Sequence, residues 1–124
     1  MAVDEATATE VGRRFLDALG RRDFAAVAAC FAPDAQLRAV VPPGVREDEG
    51  AEAIAARLER WTGETGEVVD SSLEMVEDIL RLMYVIREVP AQGPTVFEQT
   101  AYAEVADGAI TKLRVACSGE RLVS

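Results

Sequence analysis

Histidine is absent from the 124-residue chain. That excludes His-based triads and the commonest metal ligand. Acid–base work near neutral pH is left to Asp, Glu, Tyr, Cys or a perturbed Lys. Cysteine is nearly as scarce: Cys30 and Cys117 form no CxxC pair, and a zinc site would need further ligands. The two read as small buried thiols in a reducing compartment. Aromatic residues make up 6% of the chain, few for a pocket built of stacked rings. No apolar run approaches the ~20 residues of a membrane-spanning helix, and the polar start MAVDEATATE is not a signal peptide. The expected compartment is therefore the cytoplasm. Basic charge is outnumbered, 13 Lys and Arg against 22 Asp and Glu, for a net charge of −9. Such a surface repels phosphate backbones, so nucleic acid is not an expected partner.

What is present is a 49% apolar chain, long enough for one domain over residues 1–124 with a real core. A first helix reads from Asp4 as N-cap to Gly20, with Val11, Phe15, Ala18 and Leu19 on one face. A second starts at the cap Asp23 and runs FAAVAACF, and Pro33 prevents its continuation. A short strand, AQLRAVV, follows and stops at the Pro42-Pro43-Gly44 loop. The acidic segment REDEG precedes a third helix, AEAIAARLERW, whose buried stripe is Ile54, Leu58 and Trp61. Glu47, Asp48 and Glu49 are expected at the start of that helix, where its dipole favours negative charge.

From Gly66 onward the period changes from helical to alternating. Four strands are read: EVVDSSLEMV, ILRLMYVIREV, TVFEQTAYAEV and AITKLRVACS. Their turns contain Glu77-Asp78, Ala91-Gln92-Gly93-Pro94 and the hairpin pair Asp107-Gly108. Helices followed by antiparallel strands make an α+β domain, with helices on one face of a curved sheet. In ILRLMYVIREV every second residue defines one of two faces. One carries Leu80, Leu82, Tyr84 and Ile86, and the other Arg81, Met83, Val85 and Arg87.

The order of elements, with VGRRFLDALGRRDFAAVAACFAPDAQLRAV, the Gly50-initiated AEAIAARLERW and DGAITKLR, resembles the SnoaL-like branch of the nuclear transport factor 2-like superfamily. The resemblance covers nearly the whole chain. It implies a cone: a strongly bent, mainly antiparallel sheet wrapped around three N-terminal helices, with a deep central pocket for a small-molecule ligand. It also implies that many members dimerise through the convex side. Alignment with the ketosteroid isomerases of this fold turns Arg81, Met83, Val85 and Arg87 into the cone. Leu80, Leu82, Tyr84 and Ile86 then cover the convex side and are the expected homodimer surface. The same register sends Val69, Ser71, Leu73 and Met75 inward, with Phe97, Gln99, Ala101 and Ala103, and with Leu113, Val115 and Cys117. Phe15, Arg57, Leu58 and Trp61 are the expected helical wall.

The superfamily hosts isomerases, polyketide cyclases, epoxide hydrolases and non-enzymatic binding subunits. The isomerase constellation of Tyr, Asp base and second acid falls here on Phe15, Ala39 and a position on or beside Ala101, so it is missing. The epoxide hydrolases' Asp-Arg-Asp arrangement finds an Arg in Arg81 or Arg87, but the last strand, RVACS, lacks the expected Asp. The cyclases' acidic residue has no secure match: Glu98 is nearest but faces the convex side. Carboxylates that remain for a ligand are Glu47, Asp48 and Glu49 at the mouth, Glu88 at a rim and Glu120 in the tail.

Two classes of function follow. One is a cofactor-independent cyclase, isomerase or hydrolase, acting on a mostly apolar carbonyl- or carboxylate-bearing metabolite with Arg81 or Arg87 as electrophile and a rim acid such as Asp48 as base. The other is a non-catalytic ligand-binding or dimerisation module. Expected ligand contacts are Phe15, Arg57, Trp61, Met83, Val85, Phe97, Gln99, Leu113 and Cys117. No motif calls for a metal, nucleotide or flavin. The phrase CSGER, Cys117 to Arg121, resembles a C-terminal phrase of SnoaL-like proteins and has no evident role beyond a bend at Gly119.

Overall fold

Asp4 and Asp23 cap the first two helices as their sequence positions predict. In the computed structural model, which describes residues 4–41, 44–89 and 93–123, the Asp4 carboxylate accepts from the Ala6 N–H and opens α1 (Glu5–Gly20). Hydrogen bonds to Thr7 and Ala6 hold that carboxyl below its ordinary pKa. Asp23 accepts from Ala26 N–H at the start of α2 (Phe24–Ala29). Ala8, Val11, Phe15, Ala18 and Leu19 recur every three or four residues along α1 and all are buried. Each large apolar side chain so placed contributes roughly 1.5–3 kcal/mol. Gly12 shares this face, and a Cβ there would stand 2.7 Å from Leu80 Cδ2. The missing side chain lets α1 lie directly on the sheet.

The chain continues through β1 (Phe31–Val41), β2 (Gly44–Glu49) and α3 (Ala51–Thr62). Four longer strands follow, β3 (Glu67–Val76), β4 (Ile79–Glu88), β5 (Thr95–Ala106) and β6 (Ala109–Cys117), then the two-residue β7 (Arg121–Leu122). The sheet order is β2-β1-β6-β5-β4-β3, with β7 paired to β5. Among the described residues only β1 and β6 run parallel; the other pairs are antiparallel. This curled mixed sheet of seven strands, wrapped around N-terminal helices, is the expected α+β cone.

Several elements differ from the sequence reading. The second helix ends at Ala29 with Cys30 as its C-cap, so Phe31 already opens β1, and Pro33 lies within that strand instead of ending the helix. REDEG is not a helix-start loop: Glu47, Asp48 and Glu49 lie in edge strand β2, paired with Arg38, Leu37 and Gln36 of β1. An edge strand tolerates charge because one side of it is unpaired. The hairpin turns behave as read, with Glu77, Asp107 and Gly108 at positive φ. The expected Pro42-Pro43 and Ala91-Gln92 turn residues lie outside the described residues.

The larger correction concerns β4. Leu80, Leu82, Tyr84 and Ile86 are at most 1% exposed and line the inside, while Arg81 and Arg87 are exposed on the outside. Met83 and Val85 share that outer face, half-buried. Pairing with β5 fixes this phase, setting Leu80, Leu82, Tyr84 and Ile86 opposite Ala103, Ala101, Gln99 and Phe97, all core residues. A one-residue slip reverses every side chain of a strand, and the reversed phase would bury guanidinium groups without partners. The inner quartet therefore cannot be a dimer surface. Val69 is also corrected. A bulge between Val68 and Asp70 turns Val68 toward the core and leaves Val69 53% exposed.

Candidate functional site

The inner face of β3–β6 is apolar except along one rung in its middle and at the Glu88–Thr95 end. Tyr84 of β4 pairs across to Ser71 of β3 and to Gln99 of β5, and Gln99 pairs with Cys117 of β6. The rung runs from exposed Ser71 through buried Tyr84 and Gln99 to half-buried Cys117. Tyr84 Oη donates to Gln99 Oε1 at 2.6 Å, with both side chains at most 1% exposed. Burial, reinforced by Cys117, pushes the Tyr84 hydroxyl far above its ordinary pKa, so it stays a neutral donor.

The amide of Gln99 is only half satisfied. Among the described residues its Nε2 is the one buried side-chain nitrogen or oxygen without a hydrogen-bond partner. Turning the amide over does not help, because Tyr84 supplies a single contact and the other end is then left over. A buried, unmade hydrogen bond of this kind costs about 1–3 kcal/mol, and native proteins leave few of them. Phe15 closes the site from α1, its ring 6.2 Å from that of Tyr84 and 5.9 Å from that of Phe31. The neighbouring rung, Leu82, Ala101, Val115 and Ala39, is wholly apolar and buried. Ala39 and Ala101, where the resemblance led us to look for the isomerase base and, at or beside Ala101, the second acid, offer no proton-transfer group.

A second polar group links β2 to α3. Asp48 is the partner of Leu37, on the inward phase of its strand. Arg57 Nε donates to Asp48 Oδ2 at 2.8 Å and its Nη2 to Oδ1 at 3.4 Å, a forked pair with side chains 19% and 17% exposed. The bond to Asp48 raises the Arg57 pKa further. The guanidinium also sits 6.0 Å from the centre of the Trp61 ring, within cation–π range. Three expected site residues, Asp48, Arg57 and Trp61, are therefore brought together. Asp48 uses both oxygens on Arg57, whereas a guanidinium has five N–H donors and spends two here.

Arg81 and Arg87 are not part of this site. Arg81 pairs with Glu74 on the outer face, and Arg87 stands opposite Glu67 and Val96 there. Met83 and Val85 leave the ligand wall with them. Phe97, Gln99 and Leu113 face inward as expected, and Cys117 does so at the edge. Tyr84 is the residue that sequence reasoning missed. The signal for it was available: from Leu80 to Ile86 its face of β4 carries no charge, whereas the other face carries Arg81 and Arg87. Outside the cone, a groove of about 470 Å³ runs over β2, β1 and β6. Its rim is the exposed Arg38, Glu47, Lys112 and Arg114, so it belongs to the outer surface. Among the described residues no His, Cys, Asp and Glu group is gathered as a metal site, and no helix is long and apolar enough to cross a membrane.

Comparison with known proteins agrees with this architecture. No curated protein matches the chain. A candidate ketosteroid isomerase from Kribbella flavida superposes with a TM-score of 0.74 at 16% identity, covering 93% of this chain and 80% of that one. A candidate polyketide cyclase from Xanthomonas campestris pv. campestris gives 0.69 at 21% identity, over 90% of each chain. A nuclear transport factor 2-like protein of unknown function from Cytophaga hutchinsonii gives 0.66 at 19% identity, over 95% of each. At such identities the likeness is one of fold. The model of the SnoaL-like domain family matches residues 12–113, and with most of its length so covered the chain belongs to the SnoaL-like domain family.

Proposed function

We propose that the protein binds a small, mostly apolar molecule inside the cone and meets its carbonyl or other acceptor oxygen with Gln99 Nε2. The observation that carries this reading is the unpartnered, fully buried amide beside Tyr84. A ligand oxygen supplies the acceptor that no protein group does, and Leu, Ala, Val and Phe side chains around it suit an apolar body. Cys117 at the half-buried edge marks the side from which the rung is reached. The test is a titration of the intact protein with small ketones, esters and carboxylic acids, followed by the side-chain NH₂ signals of Gln99. Those signals should move on binding, and Gln99→Leu should abolish it. If every ligand found binds Gln99→Leu as tightly as the parent and leaves those signals in place, the reading is lost.

A second reading is catalytic: a cofactor-independent cyclase, isomerase or hydrolase. The forked Asp48–Arg57 pair favours it. Arg57, rather than Arg81 or Arg87, is then the electrophile, its spare N–H groups polarising a carbonyl or holding a carboxylate. Asp48→Asn would abolish turnover while leaving binding intact if this pair takes part in chemistry. A cytoplasmic setting and a homodimer belong to the same proposal. The outer face around Met83, Val85 and the 42%-exposed Tyr102 is where a second copy would sit, and sedimentation of Tyr102→Glu against the parent tests it.

A further inference from the structure

The CSGER segment has a definite geometry. Cys117 pairs with Gln99, and Arg121 pairs with Val96, so β7 resumes the ladder that β6 leaves. The tail takes four steps where β5 takes three, and the extra residue makes a bulge. Ser118 fixes its start: its N–H donates to Glu98 O at 2.8 Å and its Oγ accepts from Glu98 N–H at 2.9 Å. Gly119, at φ 83°, supplies the turn that other residues resist. The consequence is a change of face, which carries Glu120 onto the inner side.

There the exposed Glu120 accepts a hydrogen bond from the hydroxyl of buried Thr95. Glu88 is the cross-strand partner of Thr95. Its carboxyl is also wedged against the end of α3, because a Cβ on Gly63 would lie 1.7 Å from Glu88 Oε1. Two carboxyl groups that flank one hydroxyl repel when both are ionised and can be joined by a hydrogen bond only when one carries a proton. We propose that CSGER is a proton-dependent clasp: one proton shared by Glu88 and Glu120 holds the bulged tail and β7 on β5, and its loss sets two carboxylates against each other and frees the strand.

The charges around the pair fit this. Arg22, from the turn between α1 and α2, is the cation facing it, but its guanidinium is already tied to Gly63 O at 2.7 Å and Gly66 O at 2.6 Å. Arg87 and Glu67 stand opposite one another on the outer phase, Arg121 is opposite outward Val96, and Glu64 is exposed in the turn after α3. Burial first, then Glu120, raises the Glu88 pKa, against a smaller lowering by Arg22. A carboxyl with a raised folded-state pKa binds more protons folded than unfolded. Its stabilising effect is complete below the ordinary glutamate value and fades as pH rises through the raised one. The device is independent of any ligand.

Hydrogen exchange on the intact chain tests it, corrected for intrinsic rates. The amides of Ser118 and Val123, which donate to Glu98 O and Pro94 O, report the clasp, and that of Ile110, which donates to Cys30 O, is the control. Protection at Ser118 and Val123 should fall severalfold between about pH 5 and pH 8 while Ile110 is unchanged. Glu88→Gln and Glu120→Gln, which keep a side-chain hydrogen bond without a shared proton, should each flatten that profile. Thr95→Val should lower protection of the tail at every pH. A flat profile in the parent, or the same slope in both Gln variants, overturns the proposal.

Discussion

Two neighbouring rungs of one sheet face are built on opposite terms. The Leu82–Ala101–Val115–Ala39 rung holds only carbon side chains and is closed by packing. Two residues along each strand, the Tyr84–Gln99–Cys117 rung holds a hydrogen-bonded pair whose amide is left over. Both are buried to the same degree at β4 and β5, so burial does not distinguish them. What distinguishes them is what each leaves undone: the first asks nothing of a ligand, the second lacks one acceptor. The apolar side chains of the first rung belong to the scaffold, and on the proposed reading it is the second that meets a ligand.

The largest effect should come from breaking the apolar rung. Leu82→Ala should cost about 2–5 kcal/mol in urea unfolding, because a packed core collapses only partly around a deletion. Next is Tyr84→Phe, which leaves both ends of the Gln99 amide unpaired and should cost about 1–3 kcal/mol. Combining it with Gln99→Leu should recover most of that loss, since an apolar pair of similar shape has nothing to satisfy. A double mutant no more stable than Tyr84→Phe alone would mean that the amide is satisfied in solution, and the contrast between the rungs would disappear. Asp48→Asn should cost about 1–2 kcal/mol, between the values for exposed and buried pairs, with a loss that shrinks as salt is added. Smallest are the outer-face changes Arg81→Met and Arg87→Met, expected within about 0.5 kcal/mol of the parent and without effect on any ligand's affinity.

Much of the scaffold was legible because local chemistry decides it. Asp4 and Asp23 announce helix starts through their side-chain oxygens, and Asp107-Gly108 announces a hairpin through positive φ. The strands read from alternation match β3 to β6 within a residue or two at their ends. Strand β2 was not legible: GVREDE has charge where a buried face would show alternation, and its pairing partner is decided by the sheet edge. Two-residue β7 has no period to read.

The site divides in the same way. Gln99, Phe97 and Leu113 follow from strand phase, and all face inward. The phase of β4 was taken from an alignment one residue out of step, which put both arginines inside and hid Tyr84. Desolvation argued the other way, since the Leu80–Ile86 face is free of charge. The pairing of Asp48 with Arg57, and the proposed one of Glu88 with Glu120, depends on tertiary placement that no spacing in the chain encodes.

The parallel pairing of β1 with β6 has a consequence for how the molecule is made. Leu37 and Ala39 wait for Leu113 and Val115, residues synthesised most of a chain length later. During translation α1, α2, β1 and β2 emerge with their inner side chains uncovered, and the cone cannot close until the final hairpin is out. Contacts so distant in sequence slow folding, and an uncovered strand edge in the meantime is a template for association with another chain. Shortening the chain from its C-terminal end should therefore do more harm to yield than trimming the same length from α1.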